Sequence, residues 1–184
     1  MDDLLVQAAK AWKDLLSVQY HFTYGKSGKL ITVILGFDPS EFYHVAGFNH
    51  LSDIVFPFRF SHTKTIDVIL SGRITLDLLK KSEFYEELVC PRLDAIVRLQ
   101  DLLDNEFITY TYNQRVVPFY SRIEARFLIT NTSGDIIFAF TDKNANSDIY
   151  YTRSAFMMGE RDFRKNQKKI TLLKKEKKII RDSV

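Results

Sequence analysis

Apolar residues near the start of the chain recur at spacings of three and four residues. The apolar positions within residues 2–17 are Leu4, Leu5, Ala8, Trp12, Leu15 and Leu16. This spacing predicts an amphipathic helix that buries one face. Two runs with strand character follow, VQYHFTY at 18–24 and LITVILGF at 30–37, and the glycine-containing stretch between them is typical of a turn. The sequence therefore predicts an N-terminal helix followed by a β-hairpin.

The stretch from 38 to 104 has mostly helical periodicity. Asp38 is predicted to be the N-cap of a short helix with Pro39 in its first turn, and Gly47 is predicted to end it. Three longer segments repeat apolar residues at helical spacing: 61–72, 74–82 and 82–104. Pro91 is expected to kink or divide the last of them, because proline cannot donate the helical hydrogen bond.

The spacing of apolar residues changes from helical to alternating after residue 104. Four short aromatic and β-branched runs, separated by turn residues, predict an antiparallel meander: FITYTYN, EARFLITNT, DIIFAFTD and DIYYTRSAF. Residues 168–180 fit either a helix or one more strand, and their alternation favours the strand.

The order of these elements indicates an α+β fold in which N-terminal and central helices pack on a small antiparallel β-sheet. We expect a single domain over residues 1–184, because a chain of this length is able to bury one substantial core. Its parts are a helix and hairpin in 1–60, a helical part in 61–104, the antiparallel sheet in 105–157 and a basic C-terminal segment in 158–184.

The composition is that of a globular protein, with 46% hydrophobic and 27% charged residues. The first residues lack the basic and apolar regions of a signal peptide, and no run approaches the roughly 18 apolar residues that span a bilayer. Cys90 is the sole cysteine, which excludes an internal disulfide and argues against a zinc site built on thiolates. We therefore expect a cytoplasmic protein without membrane association.

Positive charge is concentrated near the C-terminus. The formal net charge of the chain is +3, but residues 161–181 hold ten Lys and Arg against two acidic residues, a net +8. The remaining residues therefore carry a net −5. Lysines clustered in this way are able to neutralise the phosphates of a nucleic acid, although the same pattern is typical of a solvated surface or tail.

The stretch FYHVAGFNHLSDI, residues 42–54, contains two histidines, His44 and His50. Their separation does not match the spacing of metal ligands, and we expect no metal and no other cofactor. Metal-free RNA cleavage needs a base for the ribose 2′-OH proton, an acid for the leaving oxygen and a cation for the charged phosphorane. Histidine suits the first two roles and arginine suits the third. Each histidine is also compatible with a purely structural, packed position.

Five stretches, in this order, resemble a phage-associated branch of the barnase/EndoU/colicin/RelE-like nucleases. They are FYHVAGFNHLSDI, YSRIEARFLI, DIIFAFTD, YYTRSAF and DFRKNQKKITLLKKEKK, within roughly residues 18–178. The resemblance implies helices followed by a small antiparallel sheet, and metal-independent RNase chemistry. It places His44 at the family's histidine, Ser154 at the serine of the YY..S.F strand and Gln167 at the glutamine before the basic C-terminal strand.

The leading hypothesis is therefore a metal-independent RNA endonuclease of a phage or mobile element. Its catalytic residues are expected to be His44, His50, Arg126, Arg153 and Ser154. The residues expected to bind RNA are Arg122, Tyr150, Tyr151, Gln167, Lys168, Lys169, Lys174 and Lys175. The two tyrosines are offered as stacking partners for an exposed base.

The resemblance further suggests an anti-CRISPR protein that acts on the guide RNA of a Cas9 complex, because small mobile-element proteins with nuclease-like folds are often counter-defence factors. Two alternatives stay open. One is a non-enzymatic inhibitor that uses the same fold to bind a protein or ribonucleoprotein, and the other is an RNase toxin.

Overall fold

The computed structural model describes residues 2–56, 59–142 and 148–180. Helix α1 spans Leu4–Leu15, as the apolar spacing predicts. The Asp3 carboxylate caps its first turn by accepting a hydrogen bond from the Val6 N–H at 2.9 Å. The buried face of the helix consists of Leu5, Ala8, Ala9, Trp12 and Leu15.

Strands make up most of the remaining regular structure in the described ranges. They are β1 (Val18–Lys26), β2 (Lys29–Leu35), β3 (Phe107–Thr111), β4 (Phe127–Asn131), β5 (Ile136–Asp142), β6 (Ile149–Met157) and β7 (Lys168–Ile179). Together they form a closed barrel in the order β1-β2-β6-β5-β4-β3-β7. Neighbouring strands are antiparallel, apart from the parallel pair β2 and β6. The predicted hairpin, the strands of the meander and the strand in 168–180 are confirmed.

The predicted α+β arrangement, with helices packed on a small antiparallel sheet, is wrong. The N-terminal hairpin does not stand apart from the later strands, because β2 pairs with β6 through Ile34 and Leu35. Strand β7 lies between β1 and β3 and closes the barrel. A hairpin beside an open meander would leave unpaired edges, and closure removes them. Alternation along a strand identifies the strand but carries no information about which distant strand lies next to it.

Helices fill the region between β2 and β3: α2 (Glu41–Val45), α3 (Thr65–Leu70), α4 (Leu76–Leu79) and α5 (Cys90–Asp104). The N-cap of α2 is Ser40 rather than the predicted Asp38, whose carboxylate accepts hydrogen bonds from the N–H and hydroxyl of Ser40. Gly47 follows α2 with a φ of 83°, in agreement with its predicted role as a terminator. Pro91 lies in the first turn of α5 and divides it from a π-helical turn at Tyr85–Val89.

One face of the strands packs with α1 and α5 in the main core. Its large strand residues are Tyr20, Phe22, Tyr24, Phe127, Phe138, Phe140 and Tyr150. Helix α5 contributes Leu93, Ile96, Leu99 and Leu103, and it lies against β6. This packing places the first turn of α5 beside β6. In the described ranges, no helix has the length and apolar character needed to cross a membrane.

Candidate functional site

A cleft of about 200 Å³ brings together polar residues from distant parts of the chain. Five of its lining residues are among those that the sequence predicts to be functional: His44, His50, Arg122, Arg153 and Ser154. The structure adds Asn49, Arg92, Ile123 and Glu124. Two imidazoles and three guanidinium groups thus face one space that contains a single carboxylate, so the cleft is suited to an anion.

The two histidines reach the cleft from either side of Gly47. His44 lies on α2, and His50 ends a short 3₁₀ turn at Phe48–His50. Gly47 has a left-handed backbone, and a Cβ at this position would lie only 2.6 Å from the Cδ of Arg92. Glycine is therefore required both by the turn and by the close approach of Arg92.

Arg92, in the first turn of α5, connects the helical part of the molecule to the barrel. Its guanidinium donates a hydrogen bond to the hydroxyl of Ser154 at 2.9 Å and lies 5.7 Å from the ring centroid of Phe156. No carboxylate within the described ranges forms an ion pair with Arg92. Burial lowers its pKa to about 10, so the group still carries its charge at neutral pH. A half-buried positive charge without a counter-charge is costly in an empty site and favourable beside an anion.

Arg153 and Arg122 complete the positive wall of the cleft. The Nε of Arg153 donates a hydrogen bond to the backbone carbonyl of Glu124 at 3.1 Å. The Glu124 carboxylate lies 3.9 Å from the same guanidinium and is 75% exposed, so this ion pair is weak. Arg122 lies over the exposed ring of Tyr120, 5.9 Å from its centroid.

The surroundings of the two histidines favour their neutral forms. The pKa of His44 is lowered by burial, by the positive charges of Arg92 and Arg153, and by His62. The pKa of His50 is lowered by burial, by Arg92, by His44 and by Arg122. Both rings are therefore neutral near pH 7 in the free protein and able to accept a proton. A phosphodiester in the cleft would favour the protonated form of either ring, which is able to donate one.

Arg92 is not among the residues predicted from the sequence. It lies on the same helical stripe as Ile96, Leu99 and Leu103, which are buried. An arginine on the apolar face of a predicted helix indicates a buried charge that needs a partner, and this signal is available in the sequence. Asn49 has no comparable signal.

Three of the predicted residues, in or next to strands β4 and β6, do not line this cleft. Arg126 precedes β4, with its guanidinium over the ring of Phe127, and it does not line the cleft. Tyr150 is 2% exposed and packs between Phe127 and Phe140 in the main core. Tyr151, one residue further along β6, is half-buried and lines a second, neighbouring cleft.

The predicted RNA-binding residues of the C-terminal segment line neither cleft, and three of them form side-chain hydrogen bonds or ion pairs within the protein. Gln167 exchanges two hydrogen bonds with the backbone of Asn113, at 2.9 and 3.0 Å. Lys175 donates hydrogen bonds to three carbonyl groups at the end of α5, and Lys174 pairs with Glu176 at 3.1 Å. Lys168 and Lys169 are exposed at the start of β7.

No group of three or more His, Cys, Asp or Glu side chains that could hold a metal ion occurs in residues 2–56, 59–142 and 148–180. The arrangement in the cleft is instead that of paired proton carriers beside a concentrated positive charge. Such a combination is able to bind a phosphate group and to move protons to and from its oxygen atoms.

One of three comparisons with known proteins gives a match. The chain has no significant match among curated proteins or solved structures. Residues 4–182, nearly the whole chain, match the family described as phage-Barnase-EndoU-ColicinE5/D-RelE like nuclease4. The resemblance noted in the sequence is therefore confirmed, and the chain belongs to this phage-associated nuclease family.

Proposed function

We propose that the protein is a metal-independent endoribonuclease whose active site is the cleft between α2, α5 and β6. The observation that carries this proposal is the convergence of His44 and His50 with Arg92, Arg122 and Arg153 around one small space. The family match supports nuclease activity. The residues of the cleft favour RNA as the substrate, because the acid–base chemistry that they suit makes use of the ribose 2′-OH.

The reaction we propose is a transesterification at phosphorus. One histidine takes the proton of the 2′-OH, the 2′-oxygen attacks the phosphorus, and the bond to the 5′-oxygen breaks. The other histidine gives a proton to that leaving oxygen. The products are a 2′,3′-cyclic phosphate and a free 5′-OH, so all atoms and protons are accounted for.

The three arginines stabilise the extra negative charge of the phosphorane. Arg92 is the best placed of them, because the hydroxyl of Ser154 and the ring of Phe156 hold its guanidinium beside both histidines. Ser154 accepts a hydrogen bond from Arg92 and so acts as a positioning residue. A charge that is fixed before the reaction stabilises the transition state without reorganisation.

The test incubates the purified protein with end-labelled RNA in EDTA and resolves the products on a denaturing gel. Wild type is expected to give discrete fragments with 2′,3′-cyclic phosphate ends. His44→Ala and His50→Ala are each expected to lower the rate by about 10²–10⁴, the usual contribution of an acid or base. His21→Ala is the matched control, because His21 lies on β1 and does not line the cleft.

The RNA substrates include a Cas9 guide RNA, free and Cas9-bound, because guide-RNA cleavage by a phage or mobile-element protein is one form of the proposed function. Cleavage of other cellular RNA, with growth arrest in cells without Cas9, would instead indicate a toxin. RNA that stays intact under every condition would contradict the proposal and favour a binding protein that uses the same fold.

A further inference from the structure

A second and larger cleft, of about 640 Å³, adjoins the proposed active site. The two clefts share three lining residues: Ile123, Glu124 and Arg153. The smaller cleft, of about 200 Å³, lies below the range of about 300–1,000 Å³ typical of small-molecule sites, whereas the larger one falls within that range. A nucleotide chain whose phosphate occupies the first cleft thus has space for an adjoining nucleoside in the second.

The larger cleft offers an aromatic platform at its border with the smaller one. Tyr151 lies on β6, is half-buried and faces the cleft. The guanidinium of Arg153 lies 5.8 Å from the centroid of the Tyr151 ring. Arg153 therefore contacts the phosphate position on one side and the tyrosine on the other, and a nucleobase stacks well on this combination of ring and guanidinium.

Another part of the wall of the larger cleft is a turn at Asn113–Arg115 that hydrogen bonds hold in place without a ligand. Gln167 holds the backbone N–H and carbonyl of Asn113, and the Asn113 side chain accepts a hydrogen bond from the N–H of Arg115 at 3.0 Å. The side chains of Gln114 and Arg115 line the cleft and have no hydrogen-bond or ion-pair partner within the described ranges. They are thus available to the polar edge of a base.

The two clefts differ in the charges of their lining residues. The smaller cleft has three arginines and two histidines against Glu124. The larger cleft has Arg115 and Arg153 against the same carboxylate, and its other lining residues are uncharged. Phosphate is therefore favoured in the first cleft and an uncharged base in the second.

We infer that the larger cleft is a nucleoside-binding subsite in which the base next to the scissile phosphate stacks on Tyr151 and contacts Gln114 and Arg115. The inference rests on the proposed cleavage of RNA, and it names the form of the substrate. A base in this subsite has left its helical stack, and unstacking costs least where the nucleotide is unpaired. The protein thus selects RNA with an unpaired nucleotide beside the cut.

The experiment measures binding by fluorescence anisotropy, with a short labelled oligoribonucleotide and its fully complementary duplex, in the His44→Ala background. The single strand is expected to bind about tenfold more tightly than the duplex. Tyr151→Ala is expected to weaken binding of the single strand by about tenfold, the usual effect of losing one stacking platform, and binding of the duplex by less than about twofold. Tyr151→Phe, which keeps the ring, should retain the affinity of the parent.

Equal binding of the two RNA forms, or the same loss in Tyr151→Ala and Tyr151→Phe, would overturn the subsite. Cleavage of the same oligonucleotides by the otherwise wild-type protein separates this result from a failure of the proposed function. Cleavage without dependence on the Tyr151 ring overturns the subsite and leaves the nuclease intact. Tyr151-dependent binding of the single strand without any cleavage supports the subsite and contradicts the nuclease.

Discussion

The two basic regions of the molecule differ in what surrounds their positive charges. In β7, Lys174 pairs with Glu176, Lys177 lies 2.7 Å from the Asp104 carboxylate, and Lys175 binds backbone carbonyls. In the cleft, Arg92 has a hydroxyl and an aromatic ring as its neighbours. The strand carries more positive charge, but most of its residues are exposed to solvent, whereas the guanidinium of Arg92 is half-buried without an ion-pair partner in the described ranges. Solvent screens a half-buried charge less than an exposed one, so the charge in the cleft attracts an anion more strongly.

The largest difference between the two regions is expected in catalysis. Arg92→Gln removes a fixed charge beside the proposed phosphate position, and we expect kcat/KM for RNA to fall by about 10²–10³. Lys174→Gln, the matched change in β7, should alter it by less than about twofold, because an exposed ion pair contributes little. Equal losses in the two variants would remove the distinction between the cleft and the strand.

The pH dependence of Arg92→Gln separates an electrostatic role from loss of packing. The charge of Arg92 lowers the pKa of both His44 and His50. Its removal raises both values, so the pH optimum of the residual kcat/KM should move to higher pH. Arg92→Lys keeps the charge and should keep the optimum. Lower activity at an unchanged pH optimum in Arg92→Gln would indicate that Arg92 only supports the fold.

A substitution in β7, which is expected to have little effect on catalysis, is expected to change the free energy of unfolding. The ammonium group of Lys175 donates to the carbonyls of Leu103, Asp104 and Asn105 at 2.6–3.0 Å, where the negative end of the α5 dipole lies. Lys175→Met keeps the apolar stem and loses these contacts, and it should lower the free energy of unfolding by about 1–2 kcal/mol in chemical denaturation. Lys174→Met is the control, with an expected change below about 0.5 kcal/mol. Unchanged stability together with weaker RNA binding would assign Lys175 to the RNA instead.

The sequence predicts the elements of this fold better than their arrangement. Alternating apolar residues identify the strands because each strand buries one face locally. Barrel closure depends on pairs such as Ile34 with Ile149, which are far apart in the chain and have no distinguishing pattern. Strand β7 is ambiguous in the sequence for a related reason: most of its residues are exposed, and Ile170 is its one buried position within the described residues.

The candidate site, like the fold, can be predicted from the sequence only in part. His44, His50 and Arg153, which line the cleft, could be singled out from the sequence because histidine and arginine suit the proposed reaction, whatever the fold around them. The sequence does not predict which of Tyr150 and Tyr151 lies in the core. Adjacent residues of a strand face opposite sides of the sheet, and a register bulge in β6 decides which side is the core. The position of Arg92 in the cleft depends on the packing of α5 against β6, and that packing is a tertiary contact.

The smallest expected effect is a difference in RNA binding between substitutions at the two ends of β7. Lys168 and Lys169 are exposed and lie opposite Thr111 and Tyr110 of β3, next to the turn at Asn113 that borders the larger cleft. Lys174 and Lys178 lie further along the strand, against β1. If RNA leaves the cleft along the first end, Lys168→Gln/Lys169→Gln should weaken RNA binding a few-fold.

The salt dependence of binding makes this small difference measurable. Each phosphate contact that is lost should reduce the slope of log K against log salt concentration by about 0.7 for single-stranded RNA, because fewer counterions are released. The Lys174→Gln/Lys178→Gln variant removes the same number of charges and should leave the slope unchanged. An equal reduction of the slope in the two double variants would mean that β7 acts on RNA through its overall charge. A reduced slope in the Lys168→Gln/Lys169→Gln variant alone would show that the RNA runs from the clefts along the first end of β7. Its path would then not be set by the density of lysines.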